Sequence, residues 1–321
     1  MLSEFQLIDR YFKRAARPGG PVQLGVGDDC ALLQPPAGET LAISTDMLVE
    51  DRHFFAGTDA LALGHKALAV NLSDLAAMGA RPLGFTLALA LPVADPAWLE
   101  PFSRGMLALA DEQGIELIGG DTTRGPLTLG ITVVGSVPLA QAMRRSGARA
   151  GDELWVSGSL GDARLALAAL QGDLALDAAT LAIASERLHR PTPRVGLGLA
   201  LRGIATSAID VSDGLLGDLG HVLQASGVGA ILYAQSLPAG QALTTRERAQ
   251  QLEFALNGGD DYELCFSAPA ASHQAVLDAA QRAQTPVSCI GLLRAEPGIS
   301  LLDEHGMPLS IVSRSFDHFA S

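Results

Sequence analysis

This 321-residue chain is poor in lysine, cysteine and aromatic residues. Its lysines are Lys13 and Lys66 alone, so few ammonium groups are available to pair with 35 acidic side chains. The net charge of −13 disfavours a nucleic-acid partner. Three widely spaced cysteines are typical of reduced thiols rather than of a disulfide framework. Because the sequence also has no leader pattern and no long apolar run, we expect a cytoplasmic protein that does not enter a membrane.

The chain has enough apolar residues, 48%, for a well-packed globular protein and is long enough for two domains. A polar, glycine-containing break at 148–152 places the boundary between domains 1–148 and 149–321. Strand-like and helix-like patterns alternate in both halves, which predicts an α/β or α+β class. The predicted strands are 40–45, 83–91, 115–118, 127–137, 153–157, 206–211, 229–234, 262–267 and 287–293, and the main predicted helices are 5–11, 59–79, 96–113, 160–188, 270–283 and one from Asp213.

Short acidic stretches beside glycine or a small hydroxyl residue recur far apart along the chain. They are Gly25–Cys30, Ser44–Asp46, Asn71–Gly79, Gly119–Thr122 and Ile209–Gly214. All are flanked by apolar sequence, where an ionised carboxylate is costly unless it is paired. Divalent cations would supply the pairing, and Mg²⁺ prefers oxygen ligands together with substrate phosphates. The pattern therefore indicates a Mg²⁺-dependent enzyme of phosphate chemistry.

Each stretch has a plainer structural interpretation. Gly25–Cys30 is also typical of a turn, and Asp46, at the end of a predicted strand, is either a ligand or a helix N-cap. Asp74 lies inside an apolar helical pattern, where aspartate is disfavoured. A metal ligand explains Asp74 better than a polar helix face shared with Asn71 does.

The remaining acidic stretches favour phosphate or metal contacts. Gly119–Thr122 follows a predicted strand, so its amides are placed as in a phosphate-binding turn, although it is not a P-loop. Asp210 and Ser212 share one face of a strand end, and Asp213 is either a ligand or an N-cap. No sequence motif of a nucleophilic enzyme or of a zinc protease is present.

Taken in order, these motifs resemble the bacterial thiamine-monophosphate kinase family of the aminoimidazole ribonucleotide synthetase superfamily. Lys66–Ala80 and Gly119–Pro126 carry the most specific part of the resemblance, and Asp261–Cys265 adds to it. The resemblance implies a two-domain aminoimidazole ribonucleotide synthetase-like fold of class α+β / α/β. It further implies a homodimer in which the N-terminal sheets pair across the subunits, and a C-terminal α/β sandwich.

The implied activity is the ATP-dependent, Mg²⁺-dependent phosphorylation of thiamine monophosphate to thiamine diphosphate by direct transfer, without a phosphoenzyme. The resemblance assigns several Mg²⁺ ions to Asp29, Ser44, Thr45, Asp46, Asp74, Asp121, Asp210 and Asp213; ATP to Gly120, Asp121, Arg145 and Ser212; and the thiamine substrate to His53, Asp260 and Phe316. Two positions depart from the family pattern: Asp260 stands where glutamate is usual, and Phe316 where tyrosine or tryptophan is common.

Other functions remain open from the sequence alone. Residues 1–24 contain no cysteine, unlike what a selenophosphate synthetase would carry, and the tail does not end in the cysteine of the hydrogenase-maturation relative. Another ATP-dependent synthetase of the superfamily and a non-catalytic nucleotide-binding regulator are the alternatives. The full set of acidic positions argues against the regulator.

Overall fold

The computed structural model of the chain describes residues 4–310, and internal contacts divide it into two compact units. The first unit contains the residues up to Leu75 together with Ala80–Ala140. The second contains Ala76–Gly79 and the residues from Gln141 onward. Both units mix helices with a sheet, so the predicted α+β / α/β class is confirmed. Within residues 4–310, no helix is both long and apolar enough to cross a bilayer.

The first unit is built around a four-stranded sheet. Its elements are α1 (Glu4–Tyr11), β1 (Val22–Leu24), β2 (Leu32–Leu33), β3 (Thr40–Val49), α2 (Ala60–Ala77, whose last two residues group with the second unit), β4 (Arg81–Leu91), α3 (Pro96–Gln113), β5 (Glu116–Arg124) and β6 (Thr128–Val137). The sheet order is β3-β6-β4-β5, with β4 and β5 parallel and the other pairs antiparallel, while β1 and β2 pair separately.

Helix α3 shows how local sequence fixes an element. The Asp95 carboxylate accepts a hydrogen bond from the Ala97 N–H, and Pro96 occupies the first turn, where its missing N–H costs nothing. Gly114 ends the helix in the left-handed conformation at φ 71°. The predicted helix 96–113 is therefore confirmed at both ends.

The four-stranded sheet buries one face and exposes the other. Phe85, Leu87 and Ile131 are buried on one face. On the edge strand β3, Ile43 and Met47 point to the opposite face and are 63% and 60% exposed. Strand residues alternate between the two faces, so this face is apolar over much of β3 and open in the isolated chain.

The second unit contains a seven-stranded sheet with order β13-β12-β9-β11-β7-β10-β8. Its elements are β7 (Asp152–Ser157), α4 (Asp162–Leu170), α5 (Ala178–His189), α6 (Val195–Ala200), β8 (Ser207–Val211), α7 (Leu215–Ser226), β9 (Gly229–Tyr233), α8 (Arg248–Asn257), β10 (Glu263–Pro269), α9 (His273–Arg282), β11 (Val287–Arg294), β12 (Ile299–Leu302) and β13 (Pro308–Leu309). Strands β7, β8 and β10 are buried along nearly their whole length, as expected of a sheet covered on both faces.

Several predicted boundaries were wrong. Strands β3 and β5 run four and six residues past their predicted ends at residues 45 and 118, because their polar residues continue the ladder. The predicted helix 160–188 is two helices, α4 and α5, separated by a break that includes Gly172. Helix α8 was not predicted, since its Gln-rich sequence has weak apolar periodicity.

Candidate active site

In the first unit, the predicted ligands Ser44 and Asp46 lie in the middle of β3, and the expectation that they end a strand is wrong. Alternation along the strand places both side chains on the half-buried face. Thr45 points to the other face, where its Oγ1 is 2.8 Å from Oγ1 of Thr132 on β6. The side chain of Thr45 therefore lies apart from those of its two neighbours.

Helix α2 presents polar side chains to the half-buried face of β3. The Ser44 hydroxyl donates to Oδ2 of Asp74 at 2.5 Å, and the Asp46 N–H donates to Oδ1 of Asn71 at 3.0 Å. Asn71 is buried, and its Nδ2 donates to the Ala67 carbonyl one turn earlier. We call Ser44, Asp46, Asn71 and Asp74 the oxygen seam, because hydroxyl, amide and carboxylate oxygens meet along it.

Asn71 was not among the predicted site residues. It occurs in the Asn-Leu-Ser-Asp stretch, where the sequence pattern indicates only a polar helix face. Its position three residues before Asp74 puts both on one side of α2, and that spacing was the available signal. In the structure, Asn71 accepts the hydrogen bond from the Asp46 N–H and so fixes the backbone of Asp46.

Gly119–Thr122 lies within β5, so the predicted phosphate-binding turn at this point is wrong. Gly120 has φ 147°, and a Cβ there would lie 1.9 Å from the Leu87 carbonyl oxygen, so no other residue fits. Asp121 is exposed and pairs with Ala88 on β4. The strand register places Asp121 on the same sheet face as Thr45, opposite Ser44 and Asp46.

Two other predicted residues of the first unit lie in loops. Asp29 is exposed between β1 and β2, and its N–H donates to the Asp28 carboxylate. His53 follows β3, where its Nδ1 accepts a hydrogen bond from the Val49 N–H at 3.0 Å. This bond fixes Nδ1 as the unprotonated ring nitrogen of a neutral His53.

In the second unit, the predicted residues lie where β8 ends. Asp210 is the penultimate residue of β8 and is buried. The N–H groups of Ser212 and Asp213 both donate to Oδ2 of Asp218, at 3.0 and 3.1 Å. The N-cap residue of α7 is Gly214, so the interpretation of Asp213 as an N-cap is wrong.

Asp218 is a further acidic residue that the sequence did not single out. Burial raises the pKa of Asp218 to about 6, with the negative charge of Asp213 adding to the rise and the loop N–H groups opposing it. Its position in the first turn of α7 lets it reach back over the helix start. Asp218 thereby holds the 212–214 loop, which carries the predicted ATP contact Ser212 and the predicted metal ligand Asp213.

The turn that contains Asp260 lies directly against this loop. The Asp260 N–H donates to the Ser212 carbonyl at 2.9 Å, and the Tyr262 N–H donates to the Val211 carbonyl at 2.8 Å. The structure thus brings Ser212, Asp213 and Asp260 together at one end of the sheet.

Arg145 is exposed, and its carbonyl accepts a hydrogen bond from the Ser226 hydroxyl at the end of α7. Phe316 lies outside the described residues.

The predicted metal ligands do not form a ready-made cluster. Within residues 4–310, no three His, Cys, Asp or Glu side chains are grouped so that they could hold a metal ion. The oxygen seam nevertheless has the donor chemistry that Mg²⁺ prefers, since every side chain in it offers oxygen and none offers sulfur. The residues present therefore fit a magnesium ion in chemical type.

Comparisons with known proteins match this architecture. The chain matches the AIR synthase related protein N-terminal domain over residues 27–137 and the C-terminal domain of the same family over 149–304. It is 47% identical to thiamine-monophosphate kinase of Salmonella typhimurium, with 99% of this chain and 98% of the relative covered.

Solved structures give the same result. Thiamine-monophosphate kinase from Stenotrophomonas maltophilia K279a superposes with a TM-score of 0.83 at 49% identity, covering 88% of this chain and 91% of that chain. A complex named AaThiL complexed with AMPPCP and TMP superposes with a TM-score of 0.76 at 27% identity, covering 98% and 97%. The chain belongs to the thiamine-monophosphate kinases, a family of AIR synthase related proteins.

Proposed function

We propose that this protein transfers the γ-phosphoryl group of ATP to thiamine monophosphate, producing thiamine diphosphate and ADP. The observation that carries this function is the 47% identity to a thiamine-monophosphate kinase over nearly the full length of both chains. The superposition on a complex that contains AMPPCP and TMP supports the same pair of substrates.

The proposed reaction does not require a nucleophilic side chain. Phosphoryl transfer passes through a loose transition state, so catalysis consists mainly of positioning and of stabilising charge. The acceptor phosphate is already anionic near neutral pH, so no strong general base is needed. We therefore expect direct transfer, with no phosphoenzyme.

We infer that Mg²⁺ binds Asp29, Ser44, Thr45, Asp46, Asp74, Asp121, Asp210 and Asp213. The support is that all eight side chains offer oxygen, that three of them lie in the seam, and that the chain is short of lysine. When bound, Mg²⁺ would neutralise the negative charge of the reacting phosphates. Ser44 holds the Asp74 carboxylate and Asn71 holds the backbone of Asp46, and these bonds reduce the reorganisation needed on binding.

We assign the substrate contacts as the family resemblance implies. Gly120, Asp121, Arg145 and Ser212 would contact ATP, while His53, Asp260 and Phe316 would contact the thiamine substrate. The exposed guanidinium of Arg145 suits bidentate phosphate contact. Asp260 sits against Ser212, and a carboxylate there suits the cationic thiazolium or the aminopyrimidine ring.

We further propose that the N-terminal domain, residues 1–148, forms a homodimer through the open face of its sheet, and that 149–321 is the C-terminal domain. Apolar side chains that are exposed in one chain, Ile43 and Met47, would be covered. Ile43→Asp is expected to leave the far-ultraviolet circular dichroism unchanged and to yield monomers by light scattering at micromolar concentration. A wild-type monomer at that concentration would contradict the dimer.

All three cysteines are free, which supports a cytoplasmic location.

A coupled ADP-release assay tests the activity. We expect turnover with thiamine monophosphate, none with thiamine or without an acceptor, and loss of turnover in excess EDTA that added Mg²⁺ restores. ADP release without any thiamine monophosphate requirement would reject the assigned acceptor. Full turnover in excess EDTA would reject the metal assignment alone.

The thiamine contact of Asp260 has its own test. Asp260→Ala is expected to raise KM for thiamine monophosphate by about tenfold and to leave KM for ATP within about twofold, because one charged contact is lost. Asp260→Glu restores the usual family residue and should be tolerated. Asp173→Ala removes an exposed carboxylate of the same unit and serves as the control. Equal changes in both KM values would reject the contact.

A further inference from the structure

The turn of residues 258–262, which joins α8 to β10, has an unfavourable backbone. Asp260 and Tyr262 have φ of 64° and 50°, in the left-handed region that side chains rarely adopt. Such a backbone conformation is energetically unfavourable for a residue with a side chain, and it persists only where its surroundings enforce it. The structure must therefore contain groups that hold this turn.

The backbone of the turn is held from one side by the 211–212 segment, through the two N–H bonds already described. Between the two strained residues, Asp261 points into the interior, and its carboxylate accepts the Gly161 N–H at 2.9 and 3.0 Å. Burial raises the pKa of Asp261 well above its usual range, although the Gly161 N–H and the charge of Arg187 oppose the rise. Asp261 is therefore an interior anchor of the turn.

The next residue after the turn, Glu263, is completely buried and takes part in an ionic network. Arg194 donates to it through Nε and Nη2, at 2.6 and 2.5 Å, and the Ser157 hydroxyl donates at 2.5 Å. Gly158 has φ 56°, and a Cβ there would lie 2.1 Å from Oε1 of Glu263. The carboxylate thus occupies a space that glycine leaves for it.

Arg187 of α5 joins the two anchors. Its Nη2 donates to the Asp261 carbonyl at 3.0 Å and to Oε1 of Glu263 at 2.8 Å. The side chain is 18% exposed, so water screens these bonds only weakly. Arg187 therefore contacts the residues on both sides of Tyr262.

We propose that Arg187, acting with Glu263 and Arg194, is a positioning residue that holds the 258–262 turn in its strained conformation and so presents Asp260 to the thiamine substrate. The proposal rests on the proposed function for the substrate named. The two interior anchors alternate with Asp260 and Tyr262, so fixing Asp261 and Glu263 inward leaves the other two directed away from the interior. Losing Arg187 would let the turn relax and would misplace the Asp260 carboxylate.

Arg187→Met is the main test, because Arg194 still pairs with Glu263 and that carboxylate keeps a cationic partner. Arg190→Met is the matched control: Arg190 lies three residues on and forms an exposed ion pair with Glu186 at 3.8 Å. We expect Arg187→Met to raise KM for thiamine monophosphate by about tenfold with KM for ATP within about twofold. Hydrogen exchange of the amides in 258–263 should accelerate, while that of β7 should not.

A second variant covers the case in which Arg187→Met does not fold. Arg187→Lys keeps the charge but has no planar fork to reach both acceptors, so it should show the same pattern in weaker form. A folded variant with unchanged exchange in 258–263 and unchanged KM for thiamine monophosphate would overturn the proposal. Faster exchange with equal rises in both KM values would also overturn it, because the network would then be only structural.

Failure of the proposed contact is distinguished by Asp260→Ala. If Asp260→Ala does not change KM for thiamine monophosphate, the proposed thiamine contact is wrong, and the positioning role of Arg187 is rejected as well. If Asp260→Ala shows the selective effect and Arg187→Met does not, the contact stands and the positioning role is rejected.

Discussion

The two units hold their proposed site residues by different means. In the first unit, the oxygen seam joins regular elements, and neighbouring residues of β3 reach opposite faces simply because a strand alternates. In the second unit, Asp210 lies in β8, whereas Ser212, Asp213 and Asp260 sit on loops after β8 and before β10. Those loops need Asp218, Asp261 and the Glu263 network to hold them.

The difference shows where substitutions should damage each half. In the seam, a side chain can change without moving the backbone, because the sheet ladder and α2 fix it. In the loops, the buried groups Asp218, Asp261 and Glu263 decide where the exposed side chains point. In the first unit, we expect substitutions to lower turnover without changing the fold. In the second unit, we expect substitutions of buried residues to change the conformation of the site loops.

The largest expected effect is in the seam. Asp46→Asn or Asp74→Asn should lower kcat by roughly 100-fold or more with the thermal midpoint nearly unchanged, because charge stabilisation is lost in a preserved scaffold. ADP release and thermal unfolding measure the two quantities. Asp95→Asn is the control, since asparagine also caps a helix. A variant with near-normal turnover and unchanged Mg²⁺ dependence would show that the residue is not a ligand.

A substitution at Gly120 tests whether the stability of the first unit depends on the close approach of β5 to β4. Gly120→Ala should lower the free energy of unfolding by about 2–4 kcal/mol, because the new Cβ meets the Leu87 backbone. Gly172→Ala also has positive φ, at 84°, but has open space around it, and should cost about 1 kcal/mol. Urea unfolding of both variants separates the steric cost from the conformational one. Equal losses would mean that the close approach to Leu87 relaxes at little cost.

The smallest effect concerns thiol reactivity. Cys30 is exposed in the first unit, whereas Cys265 is buried in β10, where burial raises the pKa of its thiol. Cys289 is intermediate, and burial raises the pKa of its thiol also. In the native protein a thiol reagent should therefore modify Cys30 first, then Cys289, and Cys265 only after unfolding. Mass mapping of the labelled peptides checks this order, and early labelling of Cys265 would mean that the sheet of the second unit opens readily.

Much of the fold was accessible from periodicity and capping. Helix α3 was predicted to the residue, because its N-cap aspartate, proline and terminal glycine are all local signals. The ends of β3 and β5 were not, because polar residues at a strand centre look like loop residues until the partner strand is known. Helix α8 was missed for a related reason: its burial comes from tertiary packing, not from a strong apolar stripe.

The sequence by itself determined the oxygen-rich character of the site, its shortage of lysine and the kinase family that the motifs resemble, since all three depend on residue type and order. Only the tertiary structure decided that Thr45 and Asp121 share a sheet face opposite Ser44, that Asn71 fixes Asp46, and that Arg187 reaches both sides of Tyr262. These facts depend on strand register and on contacts between residues far apart in the chain, such as Arg187 and Glu263, which are 76 positions apart. Side-chain identity sets which bonds are possible, and the packing of the chain selects which of them form.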